Sequence, residues 1–300
     1  MSEASDMVRK NFKESDDKRD AGLVTPSDVV RFDDIAYGQD DDQVLDVYRP
    51  RTAEGQRLAV IVSVHGGGWV YGDKERYQYY CMDLARRGFA VVNFTYRLAP
   101  EHKFPASLED TNLVFGWVLS NADEYGFDAA NIFAVGDSAG AHILALYAGL
   151  CTNSAFASRF PFTPPAGFMP KAVALNCGAY IIDLNSSATD DLTKELMADF
   201  LPHGGTSDEL EAINVLGCVT DKYPPVFLMT CTGDFLRGQA PLLRDKLDAC
   251  GVPHVSRFHS FGTKELGHVF HLKIRDEAAR LCNDEECSFF ACLARQTGEK

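Results

Sequence analysis

Gly136-Asp137-Ser138-Ala139-Gly140 stands between an apolar run, IFAV, and a helix-compatible run, AHILALYAGL. A strand that enters a helix through one serine must turn sharply. The turn holds the serine in a sparsely populated backbone conformation and lifts its hydroxyl out of the sheet. Residues two places before and after then approach too closely for side chains, so glycine at 136 and 140 is a steric requirement. A serine hydroxyl becomes a useful nucleophile only beside a base, and the base needs an orienting acid. The chemistry to expect is acyl transfer.

In a strand–serine–helix arrangement the partners follow in the order acid, then histidine. The acid belongs just after a later strand, where Asp234 stands in CTGDFL. An aspartate there also caps turns, and Asp183 and Asp221 compete with it. Eight histidines compete for the base. His268 lies in a glycine-flanked loop, ELGHVF, between the last strand and the last helix. His254 and His259 fall in or beside that strand, and His271 falls within the following helix. His102, His142 and His203 precede Asp234 and break the order. His268 is the base this pattern favours.

Attack on an ester carbonyl creates an oxyanion, which needs preorganised N–H donors worth about 3–4 kcal/mol each. His65-Gly66-Gly67-Gly68-Trp69 supplies bare backbone after a buried strand. With the Ala139 N–H opening the helix after the serine, two loops converge on one site. No GKS, GKT or GxGxxG follows, which argues against a phosphate loop. His65 orients the glycines rather than acting as base. Trp69, Tyr71 and Phe235, close to these motifs in sequence, are candidates for a small apolar substrate pocket.

Strands and helices alternate along most of the chain. RFDDIAY and QVLDVYRP read as an antiparallel pair. LAVIVSVHGGGWVYGDK (58–74), FAVVNFTYR (89–97) and PPVFLMTCTGD (224–234) read as strands buried on both faces, and NIFAVGDS and KAVALNCGAY as further strands. HVSRFHSF follows as a last strand. Helices are expected over RYQYYCMDLARRG, from Pro105 to about 121, after Ser138, over PLLRDKLDACG and over IRDEAARLCNDEECSFFACLAR. The fold class is α/β, a mostly parallel eight-stranded sheet with helices on both faces. Residues 1–300 form one domain. Residues 180–222 break the rhythm as an insertion at the carboxyl ends of the strands, and residues 1–28 read as a mobile or loosely docked arm.

A net charge of −14 argues against nucleic acid and anionic membranes as partners. No apolar run reaches the roughly 18–20 residues of a membrane span. The polar N-terminus lacks a signal-peptide core. Nine cysteines without CxxC pairs suggest reduced thiols in a cytoplasm. Cys282, Cys287 and Cys292, five residues apart, fall on different helix faces and read as packing. No metal and no cofactor is called for, and a homodimer is left open.

HGGGW, YRLAPEH followed by FPASLED, GDSAG, and the later GD and GH together resemble the hormone-sensitive-lipase-like esterases of the α/β-hydrolase superfamily. The resemblance runs from residue 65 to 268. It implies Ser138 as nucleophile, Asp234 as acid, His268 as base, and Gly66, Gly67 and Ala139 as oxyanion donors. It implies that the insertion and the arm form a cap, and that Tyr96, Arg97 and Glu101 brace the loops beneath the site. It departs from the family where FLRGQAPL follows Asp234 without a second acid. The expected activity is a serine carboxylesterase working on short acyl chains. The alternatives are an amide-directed hydrolase of arylformamidase or acylaminoacyl-peptidase type, and a non-catalytic receptor on the same scaffold.

Overall fold

The computed structural model describes residues 2–187 and 189–295. Eight strands form one sheet: β1 (Val29–Ala36), β2 (Val44–Pro50), β3 (Leu58–Val64), β4 (Ala90–Phe94), β5 (Phe127–Asp137), β6 (Val173–Asn176), β7 (Val226–Cys231) and β8 (His254–His259). Their order is β1-β2-β4-β3-β5-β6-β7-β8. The pairs β1–β2 and β2–β4 are antiparallel and the rest parallel. Ten helices accompany them: α1 (Glu3–Asp20), α2 (Lys74–Ala85), α3 (Ala106–Ser120), α4 (Ala139–Thr152), α5 (Ser154–Ala157), α6 (Asp191–Phe200), α7 (Ser207–Ala212), α8 (Val215–Cys218), α9 (Gln239–Ala249) and α10 (Glu277–Arg295).

The central strands are apolar at most positions because both faces of the sheet are covered. Val60, Val62 and Val64 of β3 share one core with Phe115 of α3 and Leu144 and Tyr147 of α4. Ile61 points the other way, into a second core with Met82 of α2 and Phe290 of α10. This is the two-residue period of a strand. Each such side chain contributes about 1.5–3 kcal/mol by leaving water. Phe115 stacks on Tyr147 at 4.6 Å between centroids, which locks α3 to α4, and Phe133 stacks on Phe290 at 4.8 Å, which locks β5 to α10.

Two expectations change. The N-terminal arm is a helix, and it is docked. Ser2 caps it by accepting from the Ser5 N–H. The Ser2 and Ser5 hydroxyls donate to Asp199 of α6 at 2.7 and 2.6 Å. Arg9 donates to the carbonyls of Val70 and Ala99 and pairs with Glu101 at 2.6 Å. Farther along, Arg19 donates to the Arg76 carbonyl. These are polar anchors, invisible to a search for apolar faces. The second change is at the C-terminal end: His271 is not helical in the expected way. It lies in a short 3-10 turn, Phe270–Leu272, ahead of α10.

Residues 180–222 leave the sheet after β6 and return at β7, carrying α6, α7 and α8. α6 lies against α1, and α8 lies against α4. All nine cysteines are free; Cys282 and Cys287 are buried and Cys292 is exposed. Among the described residues no helix is long and apolar enough to cross a membrane.

Candidate active site

Ser138 links β5 to α4 with φ 50° and ψ −118°. That is a strained backbone for a residue with a side chain, costing about 1–3 kcal/mol. It is held by its surroundings: the Ser138 N–H donates to the Asn176 carbonyl at 2.9 Å. A methyl at Gly136 would stand 2.6 Å from the Gly140 carbonyl oxygen, and one at Gly140 would collide with the Val64 carbonyl. The steric requirement read from the sequence is the one the turn imposes.

Asp234 follows β7 and His268 follows β8. A parallel bridge between Gly233 and Gly267 joins the two loops, with the Gly233 N–H donating to the Leu266 carbonyl at 2.8 Å. His268 Nδ1 donates to Asp234 Oδ1 at 2.6 Å. Thr230 donates to the other carboxylate oxygen at 2.6 Å, and the Leu236 N–H to Oδ1 at 2.9 Å. Asp234 is fully buried. Burial alone would raise its pKa, but the bonds from His268, Thr230 and Leu236 outweigh it and hold the carboxyl below the ordinary value. The acid is therefore ionised and fixes the imidazole with its proton on Nδ1.

Ser138 and His268 line one cavity of about 270 Å³, together with Gly66, Gly67, Tyr71 and Phe235. No hydrogen bond joins the two side chains in this resting geometry. A larger groove of about 460 Å³ lies between the β1–β2 edge and Tyr125, far from these groups. It holds none of them, so the smaller cavity is the candidate site.

The glycine loop corrects one donor assignment. The Gly66 N–H already donates to the Tyr77 hydroxyl at 2.8 Å, and Tyr77 in turn donates to Asp137 Oδ2 at 2.8 Å. Gly67 and Ala139 remain as the candidate donors. Burial pushes the Asp137 carboxyl up to about 7, against the opposing bond from Tyr77. His65 is buried and stacked on Tyr96 at 3.9 Å, with Nδ1 donating to the Gly66 carbonyl at 2.8 Å. Burial pushes it down to about 4. A neutral His65 stiffens the loop, as expected. Tyr96 donates to the His65 carbonyl, Arg97 clasps buried Asp110, and Glu101 anchors α1.

The pocket aromatics divide. Tyr71 lines the cavity, donates to Asp16 at 3.0 Å and meets Phe12 edge-on at 5.9 Å. Phe235 is 73% exposed and rests on the His268 ring at 4.2 Å. Trp69 is not in the lining. Its positive φ of 65° turns the indole away, where Nε1 donates to His142 and the ring stacks on Phe200 of α6. It holds the insertion in place rather than facing substrate. In its stead α1 contributes Phe12, Ser15, Asp16 and Arg19 to the cavity wall. Sequence reasoning missed these, and missed Tyr77. An amphipathic count of the arm would not have found them, since their partners lie tens of residues away.

The rivals are elsewhere. Asp183 and Asp221 are exposed. His254 bonds the Val252 carbonyl, and His259 lies beside Glu285. His271 is buried beside Tyr80, His142 bonds Trp69, His102 lies near Asp40, and His203 is exposed.

Residues 45–245 match the BD-FAE family. The carboxylesterase NlhH of Mycobacterium tuberculosis is 30% identical over 250 residues, covering 77% of this chain and 74% of that protein. Esterase LipC of the same organism is 36% identical over 40% of this chain and 30% of its own length. Esterase B from Lactobacillus rhamnosis, solved in a C6-C4 SN3 inhibited form, superposes with a TM-score of 0.89 at 25% identity. That match covers 99% of this chain and 98% of the other. The chain belongs to the BD-FAE family and is a hormone-sensitive-lipase-like carboxylesterase of the α/β-hydrolase fold.

Proposed function

We propose that Ser138, Asp234 and His268 are the nucleophile, acid and base of this carboxylesterase, and that it prefers short acyl chains. The observation that carries the triad is the Asp234–His268 bond facing the same cavity as a serine on a strained elbow. His268 Nε2 accepts the Ser138 proton as Oγ attacks the ester carbonyl carbon. The oxyanion forms against the N–H groups of Gly67 and Ala139. His268 returns the proton to the leaving alkoxide, which departs as alcohol. The same imidazole then takes a proton from water, whose oxygen attacks the acyl-serine and releases the acid. Asp234 stays ionised throughout and stabilises the imidazolium.

The short-chain preference rests on the cavity. Its volume of about 270 Å³ lies below the roughly 300–1,000 Å³ of sites for larger ligands. Ser15, Asp16 and Arg19 make one of its walls polar. A methylene contributes about 0.8 kcal/mol only where an apolar wall receives it. α1 and residues 180–222 act as the cap. Nine free cysteines, most of them buried, support a reducing compartment, the cytoplasm. The test is kcat/KM for aryl acetate, butyrate, octanoate and palmitate below micelle formation, on wild type and Ser138→Ala. Butyrate ahead of octanoate, with loss of both in the variant, is expected. Octanoate or palmitate in front would overturn the chain-length reading.

A further inference from the structure

Beside Asp234 and His268 lies a thiol that the proposed reaction does not use. Cys177 directly follows β6 with φ 49°, and its N–H donates to the Met229 carbonyl at 2.7 Å. It is 1% exposed. One ligand atom each from Cys177, Asp234 and His268 lies within 4.8 Å of the other two. We propose that these three side chains form an inhibitory site for a borderline-soft divalent cation of the zinc class.

The donor set selects the ion. A thiolate, an imidazole and one carboxylate suit zinc, cobalt or cadmium, whereas magnesium and calcium prefer all-oxygen shells. Thiolate and carboxylate together offset the two positive charges, in a place where an uncompensated charge is costly.

Binding and catalysis exclude each other. Bonds of about 2.0–2.3 Å in a tetrahedral site put neighbouring ligand atoms about 3.3–3.7 Å apart. His268 Nδ1 and Asp234 Oδ1 are 2.6 Å apart. The ion enters only by widening that contact and replacing its proton. Cys177 forms the metal–sulfur bond and gives its proton to solvent. The imidazole coordinates through Nδ1, and its proton moves by way of solvent to Nε2. A protonated Nε2 cannot accept from Ser138. The ion sits on the far side of the ring from the substrate, so the loss falls on kcat and leaves KM alone.

The binding does not depend on His268 being the base; only its effect on turnover does, so two readouts are needed. Wild type is titrated with zinc chloride, and separately with magnesium chloride, in butyrate hydrolysis. Cobalt(II) is followed through the thiolate-to-cobalt charge-transfer band. Zinc at micromolar levels is expected to lower kcat with KM unchanged, reversibly on adding EDTA, while magnesium does nothing. Cys177→Ser should keep its basal activity, lose the cobalt band and need roughly 10–100-fold more zinc. Cys177→Ala is the second variant should serine perturb the turn, and circular dichroism checks that both fold. Equal zinc sensitivity in the folded Cys177 variants would overturn the site, as would a band lost in Cys231→Ser but kept in Cys177→Ser. A band with undiminished turnover would leave the site standing and overturn His268 as base.

Discussion

The proposed nucleophile and the wall that faces it are built by opposite means. Ser138 stands on β5 between two apolar cores, and its strained backbone is fixed by close contacts among Gly136, Gly140 and Val64. The wall is α1, a helix with few buried side chains, attached through Ser2, Ser5, Arg9 and Arg19 to distant carbonyls and carboxylates. Strain can be stored only where packing prevents relaxation. Selectivity asks for no such rigidity, and a polar attachment can be rewritten one residue at a time. Chemistry is lodged in the core, and the choice of substrate in its coat.

That contrast is broken most severely at the elbow. Ser138→Ala should lose about 10⁴–10⁶ in kcat with an unchanged melting temperature. A folded variant that keeps most of its ester hydrolysis would remove Ser138 from the mechanism. Asp234→Asn should cost about 10⁴ in kcat by supporting the wrong imidazole tautomer, with KM nearly constant. A loss confined to KM would make Asp234 a turn cap instead.

Tyr77→Phe sharpens the contrast within the core. It frees the Gly66 N–H and strips Asp137 of its hydroxyl donor, so the glycine loop shifts relative to the elbow. A drop of about 10–100-fold in kcat is expected, at constant KM. Full activity would mean that the loop is held by His65 and Tyr96 alone.

The core also carries a stability cost at a buried carboxyl. Burial pushes Glu286 of α10 up to about 7, despite bonds from Asn176 and Tyr80. The unfolded chain ionises this group near its ordinary value, so raising the pH from about 4.5 to 7 favours unfolding. Glu286→Gln should leave stability below that window unchanged and add about 1–3 kcal/mol above it. Denaturant midpoints at pH 4.5 and pH 8 decide the matter; parallel curves for the two proteins would assign the pH dependence to other groups. The smallest effect belongs to the wall. Arg9→Ala removes the pair with Glu101 and two carbonyl bonds. It should raise octanoate relative to butyrate by about two- to fivefold, with acetate turnover kept. An unaltered ratio would mean that α1 does not limit chain length.

What was legible in the sequence follows the same division. The elbow could be read because its constraints are local: two glycines, a strand before and a helix after. The sheet could be read because β3, β4 and β7 are apolar runs broken by one polar residue each, Ser63, Asn93 and Thr230. His268 and Asp234 emerged from chain order, since loops after successive strands open at one end of a parallel sheet. Trp69 was misplaced because nearness in sequence is not nearness in a cavity, and a positive φ sends its indole behind the loop. Gly66 was counted as a donor because its acceptor, Tyr77, lies on a neighbouring helix. The docking of α1 was hidden because it rests on polar bonds to residues 70, 76, 99, 101 and 199.

The bridge between Gly233 and Gly267 makes one part of two. Acid and base ride on loops stitched together as a further rung of the β7–β8 ladder. The stitch couples the two loops directly, beside the 2.6 Å bond between Asp234 and His268. Serine rides on another strand, two places away in the sheet. The proposed triad therefore has a single unstitched joint, the gap from Ser138 to His268, and an arriving ester has one distance to set rather than two.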